Sequence, residues 1–407
     1  MTEESLDIIV PEFNELSRQG ANFDSQLEYF AYLSKNFHVI LVDDASVDGS
    51  WARIAEVSMN YDSGLETIRM EENGRKILAI KRAAETSNAE YVLLTDFDSR
   101  LITIDTMSAA FNRFEQDPWL AGLSLRVVPD GNTWQSKIQD LEYAIGRGTL
   151  GRYLNKQNKS RCVTGAGGIW RRRVLLEILE EHSGRHNGDD MEATAIAMRK
   201  GYHVGYESSV LVKTFVPQNF RDFYNQRRRW DLGALETYEK EHGFYTKQIK
   251  DYHNRLGQIT ILDWYSWITT FLLPYWLFTG VQHLELLGCY ELVEVLFAGI
   301  LGYVSRKEFQ SKVELLIAPL LPFYRIVQVI PRLAAVCRFL RGKVPAISAS
   351  LGHLSRLILY NSVFPFLLQV FQPSTTRHFV GKSYFSNAGQ LGQDFSKLES
   401  QRMRFSF

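Results

Sequence analysis

The 407-residue sequence has few cysteines and no net charge, and both shortages exclude classes of protein. Cys162, Cys289 and Cys337 lie far apart, without the spacing of a metal-binding motif or a disulfide framework. This usage fits a reducing compartment. Lysine plus arginine and aspartate plus glutamate each number 46, so no excess of positive charge recruits nucleic acid, and we expect no nucleic-acid partner.

We also expect no signal peptide, because the polar residues at the start lead directly into an apolar run. Up to about residue 250, short apolar runs alternate with charged, amphipathic stretches. LDIIV, FHVILV, LETIRM and YVLLT predict strands, and DSQLEYFAYLSKN, SWARIAEVSMNY and GRKILAIKRAAETS predict the helices between them. Such alternation predicts an α/β fold with a parallel sheet. Ligands of these sheets collect at the carboxyl ends of the strands, where PEFNE, DDASVDGS and DFDSR stand.

Beyond residue 250 the composition becomes apolar, and we predict a membrane-associated helical region over 251–385 and a polar tail over 386–407. Segments 264–283 and 357–376 carry no formal charge and approach the ~20 residues that cross a bilayer. Residues 324–341 place apolar side chains at helical spacing and arginines on other faces, which is typical of an interfacial helix. A soluble helical domain is the alternative, and the mean hydropathy of −0.18 favours it.

Two aspartates follow the fourth predicted strand. Asp96 and Asp98 lie on the same face of an extended segment, because side chains alternate with period two. Two such carboxylates make a hard-oxygen site for Mg²⁺ or Mn²⁺, which would relieve their repulsion. The alternative is a polar corner that caps the next helix.

Other polar clusters have equally ordinary alternatives. Asp44 could accept a hydrogen bond from a base or ribose, or simply belong to a turn. Lys76 follows a loop at a helix start, which suits phosphate but also suits solvent. Asp190, doubled with Asp189, could be a general base or a helix cap. In QRRRW the arginines suit a diphosphate and the indole suits a sugar, whereas a surface charge run is the alternative.

The order PEFNE, DDAS, NGRK, DFD, TGAGG, GDD and QRRRW resembles the inverting, metal-dependent family-two glycosyltransferases. It is most similar to their processive, membrane-embedded branch: cellulose, chitin, hyaluronan and poly-N-acetylglucosamine synthases. Gln226, Arg229 and Trp230 match the Gln-x-x-Arg-Trp motif of that branch. The resemblance covers roughly residues 6–235. It implies a GT-A nucleotide-diphospho-sugar transferase domain with a Rossmann-like, mostly parallel sheet over residues 1–250, followed by a C-terminal α-helical membrane region.

The resemblance also implies roles for the matching residues. Phe13 and Glu15 border the nucleotide base, Asp44 holds the uracil, and Lys76 lies near the nucleotide. These four residues would therefore bind the UDP-sugar donor.

The remaining roles concern the metal, the chemistry and the acceptor. Asp96 contacts the nucleotide and helps to bind the metal, which Asp98 ligates directly. Gly165 falls in the loop at the acceptor terminus, and Asp190 is the catalytic base. The glutamine, arginine and tryptophan of the motif hold the diphosphate and the acceptor sugar.

The expected function is thus transfer of a sugar from a UDP-sugar to a growing polysaccharide or glycan acceptor, with processive synthesis of a β-linked polymer. The catalytic domain would lie at the cytoplasmic face of the inner or plasma membrane, in contact with lipids. Departures from the family are GDD in place of Thr-Glu-Asp and an acceptor loop without cysteine. No hydrophobic helices precede the catalytic region, which leaves open whether a membrane partner subunit supplies them.

Four alternatives stay open. A non-processive enzyme would add a single sugar to a lipid-linked or surface glycan acceptor. A glycoside hydrolase also uses paired carboxylates but needs no phosphate-binding groups. A nucleotidyltransferase would release pyrophosphate and would have no use for Gln226 and Trp230. A membrane scaffold would tolerate the loss of Asp98 and Asp190.

Overall fold

A computed structural model describes residues 6–60, 64–131, 133–184, 187–217, 219–279, 284–309 and 315–342. The described residues contain eight strands, numbered β1 to β8 in chain order: Leu6–Glu12, His38–Asp43, Leu65–Arg69, Tyr91–Leu94, Ser99–Leu101, Leu120–Asp130, Gly168–Arg171 and His203–Phe215. The helices α1 to α14 are Glu15–Gln19, Asn22–Leu33, Ser50–Asn60, Arg75–Thr86, Met107–Gln116, Trp134–Tyr143, Leu150–Asn155, Arg172–Glu181, Asp189–Arg199, Phe220–Lys240, His242–Lys250, Arg255–Thr279, Leu284–Phe309 and Leu321–Arg341. A π-helix spans Ala144–Thr149, and 3₁₀ turns span Ile104–Thr106 and Leu315–Leu320.

The strands form one sheet in the order β3-β2-β1-β4-β7-β6-β8-β5. All four strands predicted from the apolar runs are present, and β3, β2, β1 and β4 are mutually parallel as expected. The sheet as a whole is mixed, because β7 is antiparallel to both of its neighbours and β5 is antiparallel to β8. The expectation of a mostly parallel sheet therefore describes the first half of the fold better than the second.

The parallel strands are buried on both faces. Ile8 belongs to a core cluster on one side of the sheet, and the next residue, Ile9, belongs to a cluster on the other side. Val39 and Ile40 of β2 divide in the same way. Sheets covered on both faces have continuous apolar strands rather than alternating ones, which explains why the runs were visible in the sequence.

The register of the sheet brings the polar segments together. Glu12 at the end of β1 lies opposite Asp43 at the end of β2, and Ile9 lies opposite Leu94 at the end of β4. The segments that follow these three strands therefore leave the sheet at the same edge. The fold places the sequence clusters where ligands of parallel sheets bind.

The C-terminal helices differ in part from expectation. Among the described residues, no helix is long and apolar enough to cross a membrane. The predicted span 264–283 lies on α12 as far as Thr279, and its last residues, 280–283, lie outside the described part of the chain. The predicted helix over 324–341 is confirmed within α14.

Three further expectations about this region are not decided by the structure. The predicted span 357–376 and the polar tail lie outside the described residues. The domain boundary near residue 250 stays a prediction.

Candidate active site

A cavity of about 2430 Å³ opens at the edge of the sheet where β1, β2 and β4 end. Its lining includes all the residues singled out in the sequence: Phe13, Glu15, Asp44, Lys76, Asp96, Asp98, Gly165, Asp190, Gln226, Arg229 and Trp230. The structure thus brings together residues from one end of the domain to the other. Their individual roles stay predictions, and their contacts show what each is placed to do.

The two aspartates that follow β4 face the cavity. Phe97 between them is buried and stacks on Phe23 with 4.9 Å between ring centroids. The chain turns at this point, because the backbone N–H of Ser99 donates to the carbonyl oxygen of Asp96 at 3.0 Å, so the segment is not extended as the sequence predicted. Asp96 and Asp98 nevertheless both line the cavity. A hydrogen bond from Gln26 Nε2 to the Phe97 carbonyl oxygen, 2.8 Å long, holds this segment in place.

Lys76 at the start of α4 forms an ion pair with Asp96. Burial favours the neutral form of Asp96, but the Lys76 ammonium outweighs it and holds the pKa of this carboxyl below its usual value. Gly165 lies against the same pair, since a Cβ there would stand 2.6 Å from Nζ of Lys76 and 4.0 Å from Oδ1 of Asp96. We call Lys76, Asp96 and Asp98 the carboxylate cluster.

Asp98 is the member of this cluster under the greatest electrostatic stress. Burial, followed by repulsion from Asp96 and Glu15, raises its pKa to about 7. Its Oδ1 accepts hydrogen bonds from the hydroxyl groups of Ser99 at 3.2 Å and Thr214 at 3.3 Å. Such crowding of negative charge is what a divalent cation relieves.

Within the described ranges, no three His, Cys, Asp or Glu side chains are arranged as a complete metal site. A Mg²⁺ or Mn²⁺ ion that uses few protein ligands completes its shell with water and phosphate oxygens. The carboxylates of Asp98 and Asp96 fit such an ion, although Asp96 is also paired with Lys76.

The loops after β1 and β2 form the adjoining part of the cavity. Asp44 accepts a 2.7 Å hydrogen bond from the backbone N–H of Gly74, so its carboxylate also holds the loop before α4. Burial raises the pKa of Asp44, whereas the hydrogen bonds from the backbone N–H groups of Gly74 and Arg75 oppose this increase. Phe13 is 42% exposed, which leaves its ring available to a flat ligand. This pocket suits a base, as predicted for these positions.

Asp190 lies in the first turn of α9, whose N-cap is Gly188 without a side-chain cap hydrogen bond. Asp190 Oδ1 accepts a 2.9 Å hydrogen bond from the backbone N–H of Met191 in this turn, so the carboxylate also serves the start of the helix. Asp190 Oδ2 accepts from the backbone N–H of Gly165 at 3.4 Å. Burial, followed by the nearby Asp190 carboxylate, raises the pKa of the Cys162 thiol, which stays protonated as a hydrogen-bond donor. Burial also raises the pKa of Asp189 to about 7, although Lys76 opposes it.

The QRRRW stretch lies on α10, and its residues face different surroundings. Arg229 is exposed and helps to lower the pKa of Asp96, so its charge acts on the carboxylate cluster. Gln226 Oε1 is buried and has no hydrogen-bond partner in the part of the chain that is described. Arg227 is also buried, but it pairs with Glu142 rather than facing a diphosphate. Of the three arginines, Arg229 is the one that the family motif assigns to the diphosphate, and that role stays a prediction.

Trp230 stands half-buried among cations and aromatic rings. The Arg227 guanidinium lies 4.7 Å from its ring centroid, and that of Arg147 lies 5.9 Å away. The Tyr143 ring lies 6.4 Å away, tilted by 37°. We call Arg147, Arg227 and Trp230 the tryptophan cluster. An indole can stack on a sugar ring, and Trp230 lines the cavity.

Sequence reasoning missed Glu142, Tyr143 and Arg147. They lie at the end of α6 and in the π-helix that follows it, a type of segment that is frequent at functional sites. No motif marks them, because their contacts join segments about 85 residues apart. Their prediction would have required knowing that the end of α6 packs against the QRRRW stretch of α10.

Residues 91–323 match the family described as Glycosyl transferase family group 2. An N-acetylglucosaminyltransferase of Rhizobium meliloti (strain 1021) is 26% identical over 239 residues, covering 56% of this chain and 54% of the relative. A poly-beta-1,6-N-acetyl-D-glucosamine synthase of Staphylococcus aureus (strain COL) is 22% identical over 199 residues, covering 49% and 47%. The chain spans about half the length of these curated relatives.

Among solved structures, the mannosyltransferase PcManGT from Pyrobaculum calidifontis in complex with GDP-Man and Mn2+ is similar, with a TM-score of 0.53 and 18% identity. The match covers 84% of this chain and 88% of that one. At this identity the similarity shows the fold alone, a GT-A-like α/β fold with a mixed sheet.

Proposed function

The chain belongs to Glycosyl transferase family group 2, and from that premise we propose that it is an inverting, metal-dependent transferase with a UDP-sugar donor. One observation carries the proposal. The carboxylate cluster, Asp190 and the tryptophan cluster line the same cavity, so groups suited to a diphosphate, to a proton and to a sugar face one another.

The proposed sugar is N-acetylglucosamine. The support comes from the names of relatives that match about half of this chain at roughly a quarter identity. One is named as an N-acetylglucosaminyltransferase, and another as a poly-beta-1,6-N-acetyl-D-glucosamine synthase. A glycan acceptor and synthesis of a β-linked polymer follow from the same likeness. The runner-up is addition of a single sugar to a lipid-linked or surface glycan.

The chemistry follows from where charge develops. When the bond between the anomeric carbon and phosphate breaks, negative charge grows on the departing diphosphate. A divalent ion held by Asp98 and Asp96 would supply electrostatic stabilisation of that charge. Lys76 and Arg229 add positive charge beside the same carboxylates. Asp190 accepts the proton of the acceptor hydroxyl, which attacks in line and inverts the anomeric centre.

The proposed location is the cytoplasmic face of the inner or plasma membrane. Support comes from α14, on which Arg325, Arg338 and Arg341 are exposed, because cations at a surface suit anionic lipid headgroups. Exposed apolar side chains on neighbouring helices, Trp264, Tyr265 and Phe297 among them, extend this surface. Lipids, and a membrane partner subunit for a polymer that is exported, are the proposed partners.

The direct test incubates the full chain with a panel of UDP-sugars and Mn²⁺ or Mg²⁺, and measures UDP release and product size. We expect UDP release with UDP-N-acetylglucosamine and a product that grows with time; a single added sugar would select the runner-up. Release of pyrophosphate, or turnover that needs no nucleotide sugar, would contradict the proposal.

The Asp190→Asn variant tests the chemistry itself. It should lower kcat by about a hundredfold to ten-thousandfold, because a general base contributes that much, while UDP and Mn²⁺ still bind. Calorimetric titration with UDP checks the second half. A comparable loss of UDP binding would count against Asp190 as the base.

A further inference from the structure

Arg227 and Glu142 form an ion pair beside Trp230. The two guanidinium nitrogens Nη1 and Nη2 donate to the two carboxylate oxygens at 2.6 Å and 2.7 Å. The Arg227 side chain is only 7% exposed, and its charge holds the pKa of Glu142 below the usual value although burial opposes it. A bidentate pair of this kind fixes the plane of the guanidinium as well as its position.

The fixed guanidinium in turn positions the indole. Arg227 and Trp230 are three residues apart on α10 and therefore share a face of that helix. The guanidinium carbon lies 4.7 Å from the Trp230 ring centroid and 5.3 Å from the Phe223 ring centroid. Glu142 thus acts on the indole through the arginine and has no need to touch it.

Glu142 is also held by α14. Tyr324 donates its hydroxyl to Glu142 Oε2 at 2.9 Å, and Gln328 donates its amide to Oε1 at 3.4 Å. These two residues are one helical turn apart, so both face α6 and α10. The Tyr324 ring also packs on Phe223 with 5.6 Å between centroids. The carboxylate that fixes Arg227 is therefore shared with the C-terminal helix.

A second attachment follows Trp230 in the chain. Asp231 lies 3.6 Å from Nε of Arg332 on α14. Arg332 also donates to Thr270 Oγ1 of α12 at 2.6 Å, and it lies 4.9 Å from the Trp267 ring centroid. Helix α14 is thus anchored to α10 at the residue after Trp230 as well as at Arg227.

We propose that the Arg227–Glu142 ion pair is a positioning element that holds the Trp230 indole for the acceptor and makes its geometry depend on the seating of α14. Neither residue touches the reacting atoms. The inference rests on the proposed function, because it assigns the tryptophan cluster to the acceptor and the carboxylate cluster to the donor. A helix that binds at a surface would then control acceptor use without altering donor binding.

The test replaces the ion pair by apolar side chains of similar volume in the Arg227→Met/Glu142→Leu double variant. Such replacement of a buried ion pair is often neutral for stability, whereas removal of one partner leaves a buried charge. The milder Tyr324→Phe variant removes one hydrogen bond to Glu142 and keeps the ring. The control is Arg199→Met/Glu241→Leu, which removes the ion pairs of Arg199 with Glu241 at 2.8 Å and with Glu181 at 2.7 Å, away from the cavity lining.

Three measurements are made on each full-length chain. The first is UDP release from UDP-N-acetylglucosamine with water as acceptor, and the second is transfer of radiolabelled N-acetylglucosamine to short N-acetylglucosamine oligosaccharides. The third is hydrogen–deuterium exchange over residues 226–232. For the double variant we expect transfer to fall about tenfold or more while hydrolysis changes less than about twofold, because misplacement of a reacting partner has effects of that size. Exchange over 226–232 should rise, and Tyr324→Phe should show the same pattern more weakly.

The control should match the wild type in all three measurements. An unchanged ratio of transfer to hydrolysis, or equal losses in both, would overturn the positioning role. A wild type that turns over no UDP-sugar would instead end the proposed function. In that event the exchange comparison still decides whether the ion pair holds the Trp230 segment, and unchanged exchange in the double variant would reject it.

Discussion

The carboxylate cluster and the tryptophan cluster face one cavity but are built on opposite principles. In the carboxylate cluster, like charges lie close together and the pKa of Asp98 stands near 7. In the tryptophan cluster, the buried cation Arg227 has a matched carboxylate, and Glu142 has donors from two helices. The first arrangement gains by binding a cation, whereas in the second the charges of Arg227 and Glu142 are already paired and can serve as a rigid platform.

The two clusters therefore respond differently when a ligand binds. Repulsion between like charges costs free energy, and a ligand that neutralises the charges removes part of that cost. The protonation of such a site therefore depends on whether the ligand is bound. A paired site keeps its geometry and contributes by holding a partner in place. The following experiments test this contrast between the carboxylate cluster and the tryptophan cluster.

The largest expected effect is that of Asp98→Asn. This change removes the most stressed carboxylate, and UDP-sugar turnover should fall on the order of a thousandfold through the loss of stabilisation of the departing diphosphate. UDP release with Mn²⁺ measures it. Asp105→Asn, at an exposed position outside the cavity, is the control and should leave turnover unchanged. Retention of a large share of wild-type turnover by Asp98→Asn would remove the metal from the explanation.

The next effect is that of Trp230→Ala. Loss of the stacking surface should lower transfer to an oligosaccharide by about tenfold, because an aromatic contact contributes roughly that much. Donor hydrolysis should change less, since the carboxylate cluster is intact. Both rates are measured on one preparation, and equal losses would contradict the assignment of the tryptophan cluster to the acceptor.

The contrast also predicts a pH dependence of metal binding. The pKa of Asp98 is raised to about 7, and a metal ion binds the ionised carboxylate, so a proton competes below that pH. The Mn²⁺ affinity should therefore fall about tenfold for each pH unit below about 7 and level off above it. Calorimetric titration between about pH 5 and pH 8 measures the slope. An affinity that does not change over this range would show that Asp98 is ionised throughout.

The smallest expected effect concerns the attachment of α12 to the helix that carries Trp230. Tyr238 of α10 donates its hydroxyl to Asp263 of α12 at 2.9 Å. Tyr238→Phe should lower the free energy of unfolding by about 1 kcal/mol, the contribution of one hydrogen bond, and leave turnover unchanged. Urea-induced unfolding measures it, with the exposed Tyr252→Phe as control. No difference between the two variants would show that this contact does not stabilise α12.

Particular elements show how far sequence reasoning reaches. The strands of the parallel half were predicted because burial on both faces makes their apolar runs continuous, as in β1 and β2. Asp96 and Asp98 were recognised because they directly follow such a strand. The predicted span 264–283 was not confirmed. It was predicted from the absence of formal charge, which is a weaker criterion for a membrane span than length and hydropathy together. The pairing of Arg227 with Glu142 was not foreseen, because the two residues are 85 positions apart.

By itself, the sequence determined which residues are apolar enough to form the central strands and which polar clusters end them, since both are local properties of the chain. Folding alone decided that β7 reverses direction, that a turn after Asp96 keeps Asp96 and Asp98 at the cavity, and that Glu142 rather than a ligand neutralises Arg227. These outcomes depend on burial and pairing between distant segments. The free energy of a charge depends on what surrounds it after folding, and a list of residues does not contain that information.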